Sequence, residues 1–253
     1  MPACRLRATA LQTRTNSSAK QQYMQPPACG RTEIIHPILR REHIHMKPEI
    51  TVNTQSSIRI QDAGLTVRFD PFRIAGAPHD ADVIFITHAH YDHFSPEDIR
   101  KVSRAGTVLA APKAMAEQLA EQGFPDIVLF SPGETGTVQG IRTEAVASYN
   151  KLKPFHPRSG GNLGYVITLG GTRIYVAGDT DAVREARAVR CEIALVPIGG
   201  TYTMNAKDAA ALINEIRPKT AIPTHYGSIV GKLSDGDAFR EAVAADIEVL
   251  LLL

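Results

Sequence analysis

The 253-residue chain has no tryptophan and only three cysteines, and none of its apolar runs approaches the roughly 18 to 20 residues that a membrane-crossing helix requires. The longest, IEVLLLL from Ile247, has the length of one buried strand. Cys4 and Cys29 lie in the first 48 residues, while Cys191 sits alone in the apolar segment CEIALVPI and reads as a small buried hydrophobe. With no disulfide framework the chain fits a reducing compartment, and a cytoplasmic location is expected. Acids are scarce at the start: residues 1–48 hold eight Lys or Arg against Glu33 and Glu42, leaving 20 basic and 24 acidic residues for the rest. The body is therefore mildly acidic, which weighs against nucleic acid as a partner, and the lack of a span weighs against a membrane.

The same asymmetry places a boundary near residue 48. Residues 1–48 show neither a period of two nor one of 3.6 and are rich in Gln, Ser, Thr and Pro, so a disordered tail is expected. Two further readings stay open: upstream sequence ahead of a start at Met46, or an Arg-rich, Ser-containing transit peptide. Residues 49–253 are expected to form a single domain. Short strand-like runs dominate its first half, among them SIRI, LTVRF, DVIFIT and TVLAA, each bounded by turn residues. In SPEDIRKVSR, Ser95 stands as N-cap before Pro96, with Asp98 three residues on, so a helix is expected there. PKAMAEQLAEQG is a second helix, stopping at Gly123. A second series follows: GYVITL, TRIYVAG, IALVPIG, a helix from Asn205 ended by Pro218, TAIPTH, a helix near DAFREAVAA and a last strand. Two such successions suggest an α+β domain of two sheets packed face to face, each covered outside by helices.

What is abundant is histidine in one place. THAHYDHF, Thr87 to Phe94, holds His88, His90, Asp92 and His93 between an apolar run that reads as a fully buried strand and the Ser95 N-cap. Imidazoles and a carboxylate crowded together need partners once they leave water. His88 and His90, two apart, can point the same way and share a metal, while Asp92 and His93 can serve a neighbouring one. Divalent zinc accepts these ligands most readily, with manganese or iron as alternatives. RIYVAGDTD ends another apolar strand with Asp179, and TAIPTHYG a third with His225. Outside the first 48 residues the only other histidines are His79, in no motif and expected at the surface, and His156.

Taken together, His88-x-His90-x-Asp92-His93, Gly178-Asp179 and Thr224-His225 resemble the metallo-β-lactamase superfamily of metal-dependent hydrolases. DPF, VPIGGTYTMNA and IPTHYG further resemble its compact branch related to ascorbate-6-phosphate lactonase. The resemblance implies a four-layer αββα sandwich with a dinuclear site at one edge of the sheets. It implies two Zn2+ ions: His88, His90 and a third histidine on the first, Asp92, His93 and His225 on the second, and Asp179 bridging both. His156 is the only histidine in the interval where the family places its third ligand, but its surroundings, NKLKPFHPRSGGNLGYVI, depart from the commoner pattern. It is assigned as a ligand, against a reading as a pocket residue or proton donor. Asp70 in FDPF is implied as an acceptor that orients a ligand histidine.

Two such ions would acidify a shared water, so that hydroxide attacks an ester, lactone or phosphodiester, with Asp92 orienting it. Tyr202 and Tyr226 are candidate donors to the leaving group. Lys151, Lys153 and Arg158 surround His156, which raises an anionic small-molecule substrate as an expectation. The alternatives are a nuclease of the same superfamily and a metal-dependent binding module without turnover.

Overall fold

The computed structural model describes residues 47–62 and 64–253, so the expectations for residues 1–46 lie outside the described residues. The first sheet holds β1 (Glu49–Thr54) at one edge, then β2 (Ser57–Asp62), β3 (Leu65–Phe69), β4 (Ala81–Phe85) and β5 (Ser103–Pro112), which follow directly from the four apolar runs read above, and β6 (Ile127–Phe130) at the far edge. They lie in sequence order; β1 to β3 are antiparallel neighbours, and β3 to β6 run parallel. The second sheet holds β7 (Thr135–Val138), β8 (Ile141–Ala147), β9 (Leu163–Leu169), β10 (Thr172–Val176), β11 (Ile193–Pro197), β12 (Thr220–Thr224) and β13 (Glu248–Val249). It too starts antiparallel, from β7 to β10, and continues parallel from β10 to β13.

The sheets pack face to face, because every central strand is apolar on the inner side. Val67, Phe69, Val83 and Phe85 of the first sheet meet Leu163, Tyr165, Ile174, Val176 and Leu195 of the second in one buried cluster. Phe69 stacks on Phe85 at 4.9 Å between ring centroids, and Tyr165 leans against Phe85 at 5.0 Å. The Tyr165 hydroxyl, which burial would otherwise leave unpaired, donates to Ile86 O at 2.9 Å. The alternate residues Ile84 of β4 and Ile86 just beyond it face outward onto α1 (Pro96–Val102) and α2 (Ala116–Gln122), through Ile99, Val102 and Leu119. That double burial is why β4 reads as a continuous apolar run rather than an alternating one. On the other side α3 (Arg184–Arg187), α4 (Ala206–Ile216) and α5 (Ser234–Ala242) cover the second sheet, with Leu212, Ile213 and Phe239 against Ala194, Val196 and Ala221. The result is a four-layer αββα sandwich.

Local rules hold where they were clearest. Ser95 Oγ accepts Asp98 N at the start of α1, Asn205 Oδ1 accepts Asp208 N at the start of α4, and Gly123 ends α2 at φ 66°. The expected strand IEVLLLL is shorter: only Glu248–Val249 pair, at an edge with β12 as sole neighbour, and Leu252 and Leu253 turn onto the core. Cys191 is half-buried against the outer core of the second sheet, and burial pushes its thiol up to about 12. Among the described residues no helix is long and apolar enough to cross a membrane.

Candidate metal centre

The carboxyl ends of β4, β10 and β12 open at one edge of the sandwich, and each delivers a polar side chain there. Thr87 and His88 follow β4, and the backbone N–H groups of His93 and Phe94 both donate to His90 O, so the chain turns tightly before α1 and brings Asp92 and His93 back beside His88. Leu163 N donates to Thr87 O, tying the two sheets together at this edge. Asp179 follows β10 after Gly178, whose φ of 63° and approach to Leu163 O (2.8 Å from an added Cβ) leave no room for a side chain. His225 follows β12 with φ 56°, its N–H held by Gln55 O at 2.9 Å. His156 comes from the long connection between β8 and β9. All of these except His90 are buried.

Two donor sets result. His88 Nε2 lies 3.0 Å from His90 Nδ1, which lies 3.1 Å from His156 Nε2. His225 Nε2 lies 3.2 Å from Asp92 Oδ2, and His93 Nε2 lies 3.6 Å from the same atom. Asp179 stands between them: Oδ1 faces His93 Nε2 at 3.4 Å, and Oδ2 faces His225 Nε2 at 3.3 Å and His156 Nε2 at 3.4 Å. The structure therefore brings all seven expected residues together, His156 included. His79 is exposed and bonds Ser103 O, away from the cluster.

Residues behind the donors fix which nitrogen faces inward. Asp70, fully buried at φ 42°, accepts from Thr87 N (2.8 Å), Thr87 Oγ1 (2.6 Å) and His93 Nδ1 (2.7 Å), so His93 turns Nε2 to the centre. With its hydrogen given to Asp70, Thr87 Oγ1 accepts from His88 Nδ1 at 3.0 Å. Asn150 does the same for His156. Its Nδ2 donates to Tyr202 O at 2.9 Å, which leaves Oδ1 to accept both His156 N and His156 Nδ1 at 3.1 Å. Asp70 was expected; Thr87 and Asn150 were not. Thr87 carried a signal in its place at the strand end beside His88, whereas Asn150 carried none.

The electrostatics fit a cation. His88, buried among other imidazoles, is pushed well below its ordinary value and so stays neutral with a lone pair to give. Burial likewise lowers His156, against the pull of Asp179. Burial opposes ionisation of Asp92, but the hydrogen bond from His225 and the charge of His93 hold it well below the usual carboxylate range. Burial also opposes a proton on His93, yet the charges of Asp179, Asp70 and Asp92 outweigh it and raise the imidazole to about 9. That proton meets the demand of three carboxylates for positive charge. His93 Nε2 and Asp179 Oδ1 are buried, face each other and have no hydrogen-bond partner, a costly state that a shared cation relieves. Nitrogens held at about 2.0–2.1 Å around a tetrahedral zinc lie about 3.3–3.4 Å apart, so the histidine spacings need only a small adjustment.

Residues 49–225 match the Beta-lactamase superfamily domain. The chain belongs to the metallo-β-lactamase superfamily. Within it, the chain falls in the UPF0173 metal-dependent hydrolase family. It is 32% identical over 181 residues to the UPF0173 metal-dependent hydrolase of Thermococcus onnurineus, covering 68% of this chain and 79% of the relative. It is 30% identical over 204 residues to that of Thermus thermophilus, covering 76% and 90%. In fold it is similar to Igni18, a metallo hydrolase from the hyperthermophilic archaeon Ignicoccus hospitalis, with a TM-score of 0.66 at 21% identity, covering 81% and 94%. A metallo-β-lactamase fold thus accounts for where the donors gather, at the strand ends of both sheets.

A cavity of ≈ 350 Å³ opens onto the donors, with Asp92, His156, Asp179 and His225 in its wall. Tyr202 lines it; Tyr226 does not, being packed under α5 with its hydroxyl 2.8 Å from where a Cβ on Gly236 would stand. The three cations of the His156 loop are not in its lining. Lys153 Nζ is held by Asp181 Oδ1 and Thr203 O, both at 2.7 Å, and Arg158 by Glu185 at 3.0 Å.

Proposed function

We propose that this chain is a hydrolase that holds two divalent ions, zinc first among them with manganese or iron as alternatives, and cleaves a small ester, lactone or phosphodiester in the cytoplasm. The observation that carries the reading is Asp179, whose two oxygens face the His93 side and the His156 side of the cluster at the same time. His88, His90 and His156 would hold one ion, Asp92, His93 and His225 the other, with Asp179 between. When bound, such ions supply Lewis acidity toward the scissile group and acidify a water for attack. Asp92, ionised and in the cavity wall, accepts a hydrogen bond from the attacking water and so aims it. Asp70, Thr87 and Asn150 keep the imidazole lone pairs inward through every step. Tyr202, on the cavity wall, would give a proton to the leaving group. The motif resemblance to the branch around ascorbate-6-phosphate lactonase favours lactone or ester chemistry within this range.

Metal analysis of the purified protein tests the reading, with about two divalent ions per chain expected. His88→Ala and His225→Ala should each lower that content, since they remove donors from different sets. Full metal in both variants would overturn the site. A loaded protein that turns over none of a panel of esters, lactones and phosphodiesters would instead be a binding module.

A further inference from the structure

We propose that the cavity selects an uncharged substrate carrying an aromatic ring next to the scissile bond; this rests on the hydrolase reading above and narrows it. Opposite the donors, the wall is built from Tyr91, Phe155, Tyr202 and Ile229. Phe155 stands edge-on to Tyr202, with ring centroids 4.7 Å apart and planes at 88°. Tyr91 is braced edge-on by Phe72 at 6.0 Å. Phe155 is 43% and Tyr91 66% exposed, so two of the few large apolar side chains left open to solvent among the described residues flank this one cavity. Exposed aromatics gathered beside a polar site are the usual mark of a surface awaiting a ligand ring.

Charge argues the same way. No Lys or Arg lines the cavity. The three cations nearest in sequence to His156 turn elsewhere: Lys151 and Lys153 line a separate pocket with Asp181, and Arg158 lines another with Glu185. Lys153 and Arg158 already hold those carboxylates. A carboxylated or phosphorylated substituent entering here would lose its water against aromatic faces, with no basic side chain to repay the loss. A neutral ring meets Phe155 and Tyr202 in the edge-to-face or offset geometry that aromatic pairs prefer. The volume of ≈ 350 Å³ is at the small end for ligand sites, enough for one ring and an ester group. A nucleic-acid backbone would also find no Lys or Arg here for its run of phosphates.

The test uses the full-length, metal-loaded protein and three esters with one leaving group: methyl phenylacetate, its 4-carboxylated analogue and methyl acetate. Binding is measured in parallel with the uncleaved probes phenylacetamide and 4-carboxyphenylacetamide. Because the chain has no tryptophan, Phe155→Trp gives a single fluorescent reporter that preserves the aromatic wall. Phenylacetamide should bind at least about tenfold tighter than its carboxylated analogue, and Phe155→Ala should weaken it about five- to tenfold, with a larger rise in KM for methyl phenylacetate than for methyl acetate. Phe155 is half open to solvent, so its truncation leaves the fold intact. Equal or tighter binding of the carboxylated probe, or equal loss for aromatic and aliphatic esters in Phe155→Ala, overturns the inference. Selective phenylacetamide binding without turnover of any ester, lactone or phosphodiester would remove the hydrolase reading and keep the aromatic pocket; turnover without aromatic preference would do the reverse.

Discussion

Asn150 Oδ1 accepts both the backbone N–H and the ring Nδ1–H of His156, each at 3.1 Å. The orientation of the amide is not free, since turning it over would set its nitrogen against a backbone N–H and its oxygen against Tyr202 O. His156 therefore presents Nε2, unprotonated when neutral, to His90 and Asp179. Such fixing suits a ligand, whose lone pair must point at the ion. Asn150→Ala should reduce affinity for a divalent ion about 10- to 100-fold, as expected when a residue that orients a ligand is lost. His156→Ala should lower metal content together with activity. Metal titration of both variants checks the point, and an unchanged metal content in His156→Ala would make His156 a pocket residue.

The Asp70 carboxylate is the counterpart on the other side of the cluster, taking three hydrogen bonds from Thr87 and His93 with no exposure to water. Removing one member of a buried, charged network strands the others. Asp70→Ala should cost about 3 kcal/mol or more of folding stability and loosen the ion on the His93 side. Denaturant melts read the first effect and metal titration the second; a loss below about 0.5 kcal/mol would mean that water replaces the carboxylate.

Chelation should destabilise the domain without unfolding it. The three apolar clusters contain none of the seven donors, so the sandwich does not depend on them for its core. What a bound ion would add is mass action: at a free concentration a hundredfold above Kd, it would contribute about 2.7 kcal/mol. For a domain of this size a loss of that order lowers Tm by about 5–10 °C. Thermal melts with and without a chelator measure the shift, and far-UV circular dichroism reports whether the strands persist.

Much of the site was legible because strand ends are a local property. DVIFIT is apolar on both faces, its end is marked by polar residues, and Ser95 caps the next helix, so His88 to His93 could be placed at an edge without coordinates. The same held for Asp179 and His225. Contacts set by side-chain direction within a loop were not legible. Lys153 and Arg158 flank His156 in sequence, yet their heads turn to Asp181 and Glu185. Asn150 reaches His156 across a six-residue excursion that no periodicity describes. The short helix α3 lacks a side-chain N-cap and was missed, and IEVLLLL was over-read because only Glu248 and Val249 pair with β12 before Leu252 and Leu253 turn onto the core.

Far from the candidate metal donors, Asp80 is clasped by two strands. Arg68 donates to it twice, from Nε and Nη2 at 2.8 Å each, and Arg59 once from Nε at 3.0 Å, linking β2 and β3 to the approach to β4. Burial alone would raise the Asp80 carboxyl, but the hydrogen bonds and charges of Arg68, then Arg59, outweigh it and lower its pKa. A carboxylate more acidic in the folded than in the unfolded chain stabilises the fold above the unfolded value, about 3.9, and that contribution fades as pH falls through the folded value. Asp80→Asn should therefore cost about 1–2 kcal/mol near neutral pH, where a partly buried, doubly bonded ion pair is lost. The gap between native and variant should stay constant down to about pH 5 and narrow below about pH 4. Urea denaturation of both proteins across this range gives the gap directly. A gap that held its full size to about pH 2 would mean that the two arginines bind the Asp80 side chain for its shape, not its charge.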